Sequence, residues 1–399
     1  MAAHRYHNPF PRLANWCLLL VVVIDLLSLA RGLPQTTAKA VSLSNLPGQT
    51  VSLPWPAYGE AALGAQGYRL LAEDGKQTPV PIASVAKVIT ALAVLNKYPL
   101  TANASGPSIT LSQADVDIYN SAVAEDGSAV AVSAGEQISE RQMLEAMLLA
   151  SANNMATSLA NWAFGSLPAY EDTANNLVKG LGMGNTQMAD ASGFSPQTVS
   201  TAEDLVKLGQ AAIANPAIVQ IVSEAKATVP VAGQIYNYNQ LLGSDGIIGI
   251  KTGNTDQAGG TFLFAANRNI GSQTVMVFGA VLGAPDLATA MADGRKLVVA
   301  SDLGFLASTP VKKGDLLGVY KTKWGASIDA MAAADLSVLS WKSQAVVLTS
   351  DLQTLSVGAP AGKVVGGVTI SAGTYKQSAA AVLAQPLTKP SILWRLLHP

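Results

Sequence analysis

Between Pro81 and Asn96, alanines and aliphatic residues fall where a buried helix needs them, and the head of the run carries Ser84-Val85-Ala86-Lys87. With Pro81 near its start, the pattern predicts a helix from about residue 81 to residue 96. A lysine in such a helix constrains the fold, because burial disfavours its charged form. Positions i and i+3 share a helix face, which sets the Lys87 amine beside the Ser84 hydroxyl. The histidines are His4, His7 and His398, all at the ends of the chain, which argues against a Ser-His-Asp triad. A lysine in water titrates at about 10.4, too high for a base at neutral pH. Burial, with a second cation such as Lys251 nearby, lowers that value and lets Lys87 take the Ser84 proton.

With 399 residues the chain has room for two domains, and 49% hydrophobic against 13% charged residues favours order. A net charge of −1 gives no basic footprint, so nucleic acid is not expected as a partner. The single Cys17 excludes an internal disulfide, and its place in the N-terminal apolar segment argues against a thiol nucleophile. No His/Cys/acid cluster is apparent, so neither a metal nor an organic cofactor is expected.

Arg5 and Arg12 precede Trp16 to Ala30, which is apolar except for Asp25 and Ser28. A membrane span needs roughly 20 apolar residues, so this run suits a secretory signal or signal-anchor better. Ser28-Leu29-Ala30 and Ala38-Lys39-Ala40 both resemble small-x-small cleavage sites. The competing reading is a buried core helix. As a signal or anchor, the segment places the remainder outside the cytoplasm, with residues 1–50 as signal plus linker.

Residues 51–308 mix helical and strand patterns. Ser139-Glu140-Arg141-Gln142 predicts a capping box opening a helix through Met143, Met147 and Leu148, with Ser151 delivered at its end. Ile247–Thr252, Thr261–Ala266 and Thr274–Leu282 read as strands, and Ala288–Leu306 as a helix. After Pro310 the texture changes to short apolar stretches separated by Gly, Pro and Ser, predicting a small all-β domain over 309–388. Residues 389–399 carry Ile392, Leu393, Trp394, Leu396 and Leu397 around Arg395. They read as an interfacial membrane foot or as a tail packed on the domain.

Two further motifs complete a constellation. In Ser151-Ala152-Asn153, the hydroxyl of Ser151 can relay a proton to a leaving amine, and the Asn153 amide can hold Lys87 and a substrate carbonyl. In Lys251-Thr252-Gly253, a cation and a hydroxyl suit a terminal carboxylate, and Gly253 lets an extended substrate lie close to the strand. The free amides at the head of the Ser84 helix offer one oxyanion donor, with a second at Asn254. Each triplet alone is ordinary; the three in this order are not.

In these motifs the sequence resembles the low-molecular-mass penicillin-binding proteins, serine-type D-alanyl-D-alanine carboxypeptidases that share an acyl-serine mechanism with β-lactamases. Similar stretches are Tyr68-Arg69-Leu70-Leu71-Ala72-Glu73-Asp74-Gly75, Asp190-Ala191-Ser192-Gly193-Phe194, Ser200-Thr201-Ala202-Glu203-Asp204-Leu205 and Gly249 to Gly259. The resemblance implies an α+β catalytic domain, a five-stranded antiparallel sheet with flanking helices and a helical cluster, followed by the small all-β domain. It implies Ser84 as acylated nucleophile, Lys87 as base, and Ser151 and Asn153 as second element. Lys251, Thr252 and Gly253 form the third, the amides of Ser84 and Asn254 the oxyanion hole, and Thr255 a hydroxyl near the substrate carboxylate. The implied partners are a peptidoglycan stem peptide, β-lactams as covalent inhibitors, and a membrane surface met through the N-terminal segment or the C-terminal foot.

The chain departs from the family pattern at Ala86, Asn154, Asn254 and Tyr238, none of which removes a group the chemistry requires. The implied function is removal of the terminal D-alanine from stem peptides. A DD-endopeptidase, a β-lactamase and a catalytically silent wall-binding scaffold compete with it. For the lactamase, Glu171 lacks the Glu-x-x-Leu-Asn setting; for the scaffold, Ser84, Lys87 and Lys251 are all retained.

Overall fold

Five strands pair antiparallel into one sheet: β1 (Glu60–Ala65), β2 (Arg69–Asp74), β3 (Ile247–Thr255), β4 (Gly259–Ile270) and β5 (Gln273–Ala284), in the order β3-β4-β5-β1-β2. The structure is a computed structural model that describes residues 10–373 and 375–398; His4, Arg5 and His7 lie outside the described residues. The principal helices around the sheet are α1 (Ala86–Lys97), α2 (Glu140–Leu148), α3 (Asn153–Phe164), α4 (Ala202–Ile213) and α5 (Leu287–Gly304).

Successive side chains on a strand point to opposite faces, and β4 shows how both are covered. Phe262 and Phe264 face Gly294 of α5, where a Cβ would stand 2.7 and 3.3 Å from their rings. The intervening Leu263 points the other way, where a Cβ on Gly209 of α4 would stand an ordinary 3.4 Å from its Cδ1. Helices therefore sandwich the sheet. Beside it, α1 is buried continuously from Ala86 to Leu95 and packs against α2, α3, α4 and the helix Leu167–Gly180. The capping box forms as its spacing predicts: Ser139 Oγ accepts from Gln142 N at 3.2 Å, and Ser139 N donates to Gln142 Oε1 at 3.1 Å.

By contact the chain divides into two units. One is Gln49–Leu306 with Trp341–Ser343; the other holds Ala307–Ser340, the chain from Gln344 onward and the described residues before Gln49. In the second unit six antiparallel strands run in the order Ala38–Ala40, Leu316–Lys321, Ser327–Ala332, Tyr375–Leu383, Val364–Ala372 and Val346–Leu352. Their core holds Leu317, Tyr320, Val338, Val365 and Ile370.

Two expectations need correction, and one competing reading falls away. The segment 31–50 is not a bare linker, since Ala38 pairs with Tyr320 and Ala40 with Gly318 at the edge of the six-stranded sheet. Three residues suffice for an edge strand, too short for a clear alternation signal. The helix expected from Pro81 begins later: Val80–Pro81 pairs with Val199–Ser200, Ala83–Val85 forms a 3-10 turn, and α1 starts at Ala86. The apolar N-terminal segment forms a helix, Phe10–Ala30, but not a buried one: Trp16 is 73% exposed and Leu27 66%. No single helix among the described residues is long and apolar enough to cross a membrane.

Candidate active site

Ser84 sits in the tight turn between Pro81 and α1. Ala83 before it adopts φ 47°, a left-handed conformation that costs a non-glycine residue about 1–2 kcal/mol. Two glycines hold the turn in place by close approach. A Cβ on Gly193 would stand 1.8 Å from the Ala83 carbonyl oxygen, and one on Gly253 of β3 would stand 2.9 Å from Ser84 N. The sequence pattern gave Gly253 a role beside the substrate; its bare Cα also lets β3 lie against the nucleophile's amide.

Lys87 lies one turn on and is fully buried. Its Nζ is 2.8 Å from Ser84 Oγ and donates to Asn153 Oδ1 at 2.7 Å and to the Ser192 carbonyl at 2.8 Å. Desolvation holds its pKa well below the usual lysine range; Lys251 adds repulsion in the same direction, and Asp190 opposes both. A neutral amine carries two N–H donors and one lone pair. The two carbonyl oxygens take the donors, which leaves the lone pair for the Ser84 hydroxyl.

Ser151 lies in the break between α2 and α3, and Asn153 is the first residue of α3. Ser151 has φ 60°, a second strained non-glycine position at the site. Its Oγ accepts from Lys251 Nζ at 3.1 Å, and Lys251 also donates to the Thr252 carbonyl at 2.9 Å. Burial lowers the Lys251 pKa to about 7. Asn153 N donates to the Ser128 carbonyl at 2.7 Å, and a Cβ on Gly127 would come within 2.7 Å of Asn153 Nδ2. The neighbouring Asn154 pins Val130 both ways, accepting from its N–H at 3.0 Å and donating to its carbonyl at 2.9 Å. A carboxylate there could not donate, so this pair of bonds requires an amide.

Ser84, Asn153, Asn254 and Thr255 line one cavity of about 350 Å³, together with Phe194, Glu125, Asp126 and Asp256. Thr255 Oγ1 accepts from Ala258 N at 3.1 Å, fixing the turn after β3. Lys251 and Thr252 are buried and do not appear among the described residues lining that cavity. The nine residues predicted from sequence fall into neighbouring groups. Ser84, Lys87 and Asn153 are bonded together, Ser151 and Lys251 form a second pair, and Gly253 abuts the nucleophile turn.

Sequence reasoning assigned no role to the loop Asp190–Phe194. Asp190 Oδ2 accepts from Ser192 N at 3.1 Å, Ser192 Oγ at 2.7 Å and Phe194 N at 3.0 Å. Thr90 of α1, one turn beyond Lys87, donates to the Ala191 carbonyl at 2.7 Å. These bonds aim the Ser192 carbonyl at Lys87. The available signal was the Asp-x-Ser-Gly pattern, whose spacing is that of an Asx-type turn.

Residues 61–285 match the family described as D-alanyl-D-alanine carboxypeptidase. A D-alanyl-D-alanine endopeptidase of Escherichia coli (strain K12) is 31% identical over 235 residues, covering 57% of this chain and 71% of that protein. D-alanyl-D-alanine carboxypeptidase DacB2 of Mycobacterium tuberculosis is 32% identical over 207 residues, covering 50% of this chain and 67% of its own length. Among solved structures, penicillin binding protein 5 from Haemophilus influenzae superposes with a TM-score of 0.61 at 21% identity, over 85% of this chain and 100% of its own. That likeness speaks for the fold, while the family match spans more than half of the chain. The chain belongs to the D-alanyl-D-alanine carboxypeptidase family of serine peptidases.

Proposed function

We propose that the protein is an exported peptidase that removes the terminal D-alanine of peptidoglycan stem peptides through an ester on Ser84, and that β-lactams acylate the same oxygen. The observation that carries this reading is the coordination of Lys87 Nζ, with two acceptors and one hydroxyl around a buried amine. Ser84 Oγ attacks the carbonyl carbon of the penultimate residue while Lys87 takes its proton. The charge developing on the carbonyl oxygen falls to the amides of Ser84 and Asn254. The proton travels through Ser151 to the leaving amine, and D-alanine departs. Water then attacks the ester with Lys87 again as base, freeing Ser84. Asn153 orients Lys87, and Lys251, Thr252 and Thr255 receive the terminal carboxylate. Gly253 keeps the strand open to an extended peptide.

The chemistry belongs to residues 51–308. Residues 1–50 direct export, 309–388 form a β-rich accessory domain in the cell envelope, and 389–399 face a membrane surface. The endopeptidase name carried by the Escherichia coli relative favours a second reading of the same site, cleavage of cross-links. Release of free D-alanine from monomeric stem peptides, against splitting of cross-linked dimers, separates the two.

Incubation with a fluorescent penicillin is expected to give a lasting covalent label on the wild-type chain and none on Ser84→Ala. Label retained by Ser84→Ala, or absent from the wild type, ends the assignment. Rapid turnover of the penicillin turns it toward a β-lactamase.

A further inference from the structure

The loop Asp190–Phe194 meets the candidate site in three ways. The Ser192 carbonyl accepts from Lys87 Nζ at 2.8 Å. Gly193 lies so close to the nucleophile turn that a Cβ there would stand 1.8 Å from the Ala83 carbonyl oxygen. Phe194, 40% exposed, lines the cavity that holds Ser84 and Asn153. Base, nucleophile turn and substrate cavity therefore share one short segment that belongs to no helix or strand.

One carboxylate stiffens that segment. Asp190 Oδ2 accepts from Ser192 N, Ser192 Oγ and Phe194 N, while Oδ1 accepts from Thr198 Oγ1 at 2.5 Å. Thr198 is wholly buried, and its Oγ1 accepts in turn from Ala189 N at 3.1 Å, which closes the base of the loop. An ionised carboxylate, which only accepts, suits such a set of donors. We propose that Asp190 is a positioning residue for acylation: by pinning the loop it aims the Ser192 carbonyl at Lys87 Nζ, and so keeps the lone pair of the amine on Ser84 Oγ. The inference rests on Lys87 acting as the base of Ser84. With one N–H on the Ser192 carbonyl and the other on Asn153 Oδ1, a neutral amine has a single orientation, its lone pair toward the hydroxyl. Without the carbonyl the amine turns freely about its last bond, and productive orientations become a minority.

Two substitutions part this geometry from charge. Asp190→Asn keeps an oxygen for Ser192 and Phe194 but removes the charge, whereas Asp190→Ala removes both. The rate of acylation by fluorescent penicillin is followed by stopped flow across pH on the full chain, and thermal unfolding checks each variant. The charged groups acting on Lys87 are Lys251 and Asp190, and Asp190 favours the protonated amine. In both variants the acid limb is therefore expected at lower pH than in the wild type. The alkaline plateau is expected to stay within about threefold of wild type in Asp190→Asn, the loss of a charge-assisted contact, and to fall about 30–100-fold in Asp190→Ala, the cost of a misplaced reacting group. An unchanged plateau in Asp190→Ala overturns the proposal, because the carboxylate then shapes the loop without serving the base. Equal plateau losses in the two variants also overturn it and assign the effect to charge. Ser192→Ala removes one of the three bonds to Oδ2 and is expected to lower the plateau about fivefold. It carries the test if Asp190→Ala unfolds, and a wild-type plateau there overturns the proposal. A wild type that takes no label fails the reading of Ser84 and Lys87 itself, before any loop variant is compared; labelling of the wild type with an indifferent loop fails the positioning role alone.

Discussion

Lys87, beneath the candidate nucleophile, and Glu140, at the head of α2, are both wholly shielded from solvent, and in both burial favours the neutral form. Lys87 has three partners matched to a neutral amine. Glu140 has none among the described residues: both carboxylate oxygens are buried without a hydrogen bond, and its pKa rises to about 7. It does so although it is the first residue of its helix, where the amide dipoles favour negative charge. Desolvation wins over the dipole. Burial alone therefore shifts a titration; it makes a catalyst only where neighbours take up the neutral group's donors and a reacting atom meets its lone pair.

The sharpest way to break this contrast is Lys87→Ala. If the amine is the base, acylation by penicillin should fall about 10³–10⁴-fold, at the upper end of what a positioned base contributes. The melting temperature should hold or rise, because the variant no longer buries an ionisable group. Normal labelling in this variant would refute the base assignment. As pH falls, wild-type acylation should decline when Lys87 protonates, and stopped-flow labelling across pH locates that limb.

Much of this site was legible before any coordinates. The i, i+3 spacing of Ser84 and Lys87, the capping box at Ser139 and the β-branched run into Lys251 are local patterns, and local patterns survive folding. What was not legible depends on long-range approach. The Ser192 carbonyl reaches Lys87 from 105 positions away, and backbone carbonyls have no sequence signature. The left-handed turns at Ala83 and Ser151 carry no glycine to announce them. Nothing in Ser139-Glu140-Arg141-Gln142 tells that Glu140, the first residue of α2, is buried with Gly106 against its carboxylate. The strand Ala38–Ala40 escaped because three residues hold no period.

Glu140 provides the other half of the comparison. Its folded pKa of about 7 exceeds the ordinary 4.5, so the folded state binds more protons between those values and stability falls as pH rises through that window. Above pH 7 the cost is up to about 3 kcal/mol, and below pH 4.5 it vanishes. Glu140→Gln should flatten this dependence and stabilise the protein most at pH 8, while leaving penicillin labelling unchanged. Urea midpoints at pH 5 and pH 8 measure it. A wild-type pH slope that persists in the variant would place the titration elsewhere.

Lys251 stands between the two cases. It is buried like Glu140 and partnered like Lys87, but its partners are one hydroxyl and one carbonyl, and its pKa of about 7 leaves it balanced between forms near neutrality. A carboxylate substrate should draw it to the charged form, which the free site resists. Lys251→Ala should then lower kcat/KM for carboxylate-bearing peptides about 10–100-fold, the loss of one charge-assisted hydrogen bond. It should also remove the repulsion that helps hold Lys87 neutral, moving the acid limb of the kcat/KM profile to higher pH. The two effects have different readouts, KM at fixed pH and the position of the limb. A lost KM with an unmoved limb would show that burial by itself keeps Lys87 neutral, and that Lys251 serves the substrate alone.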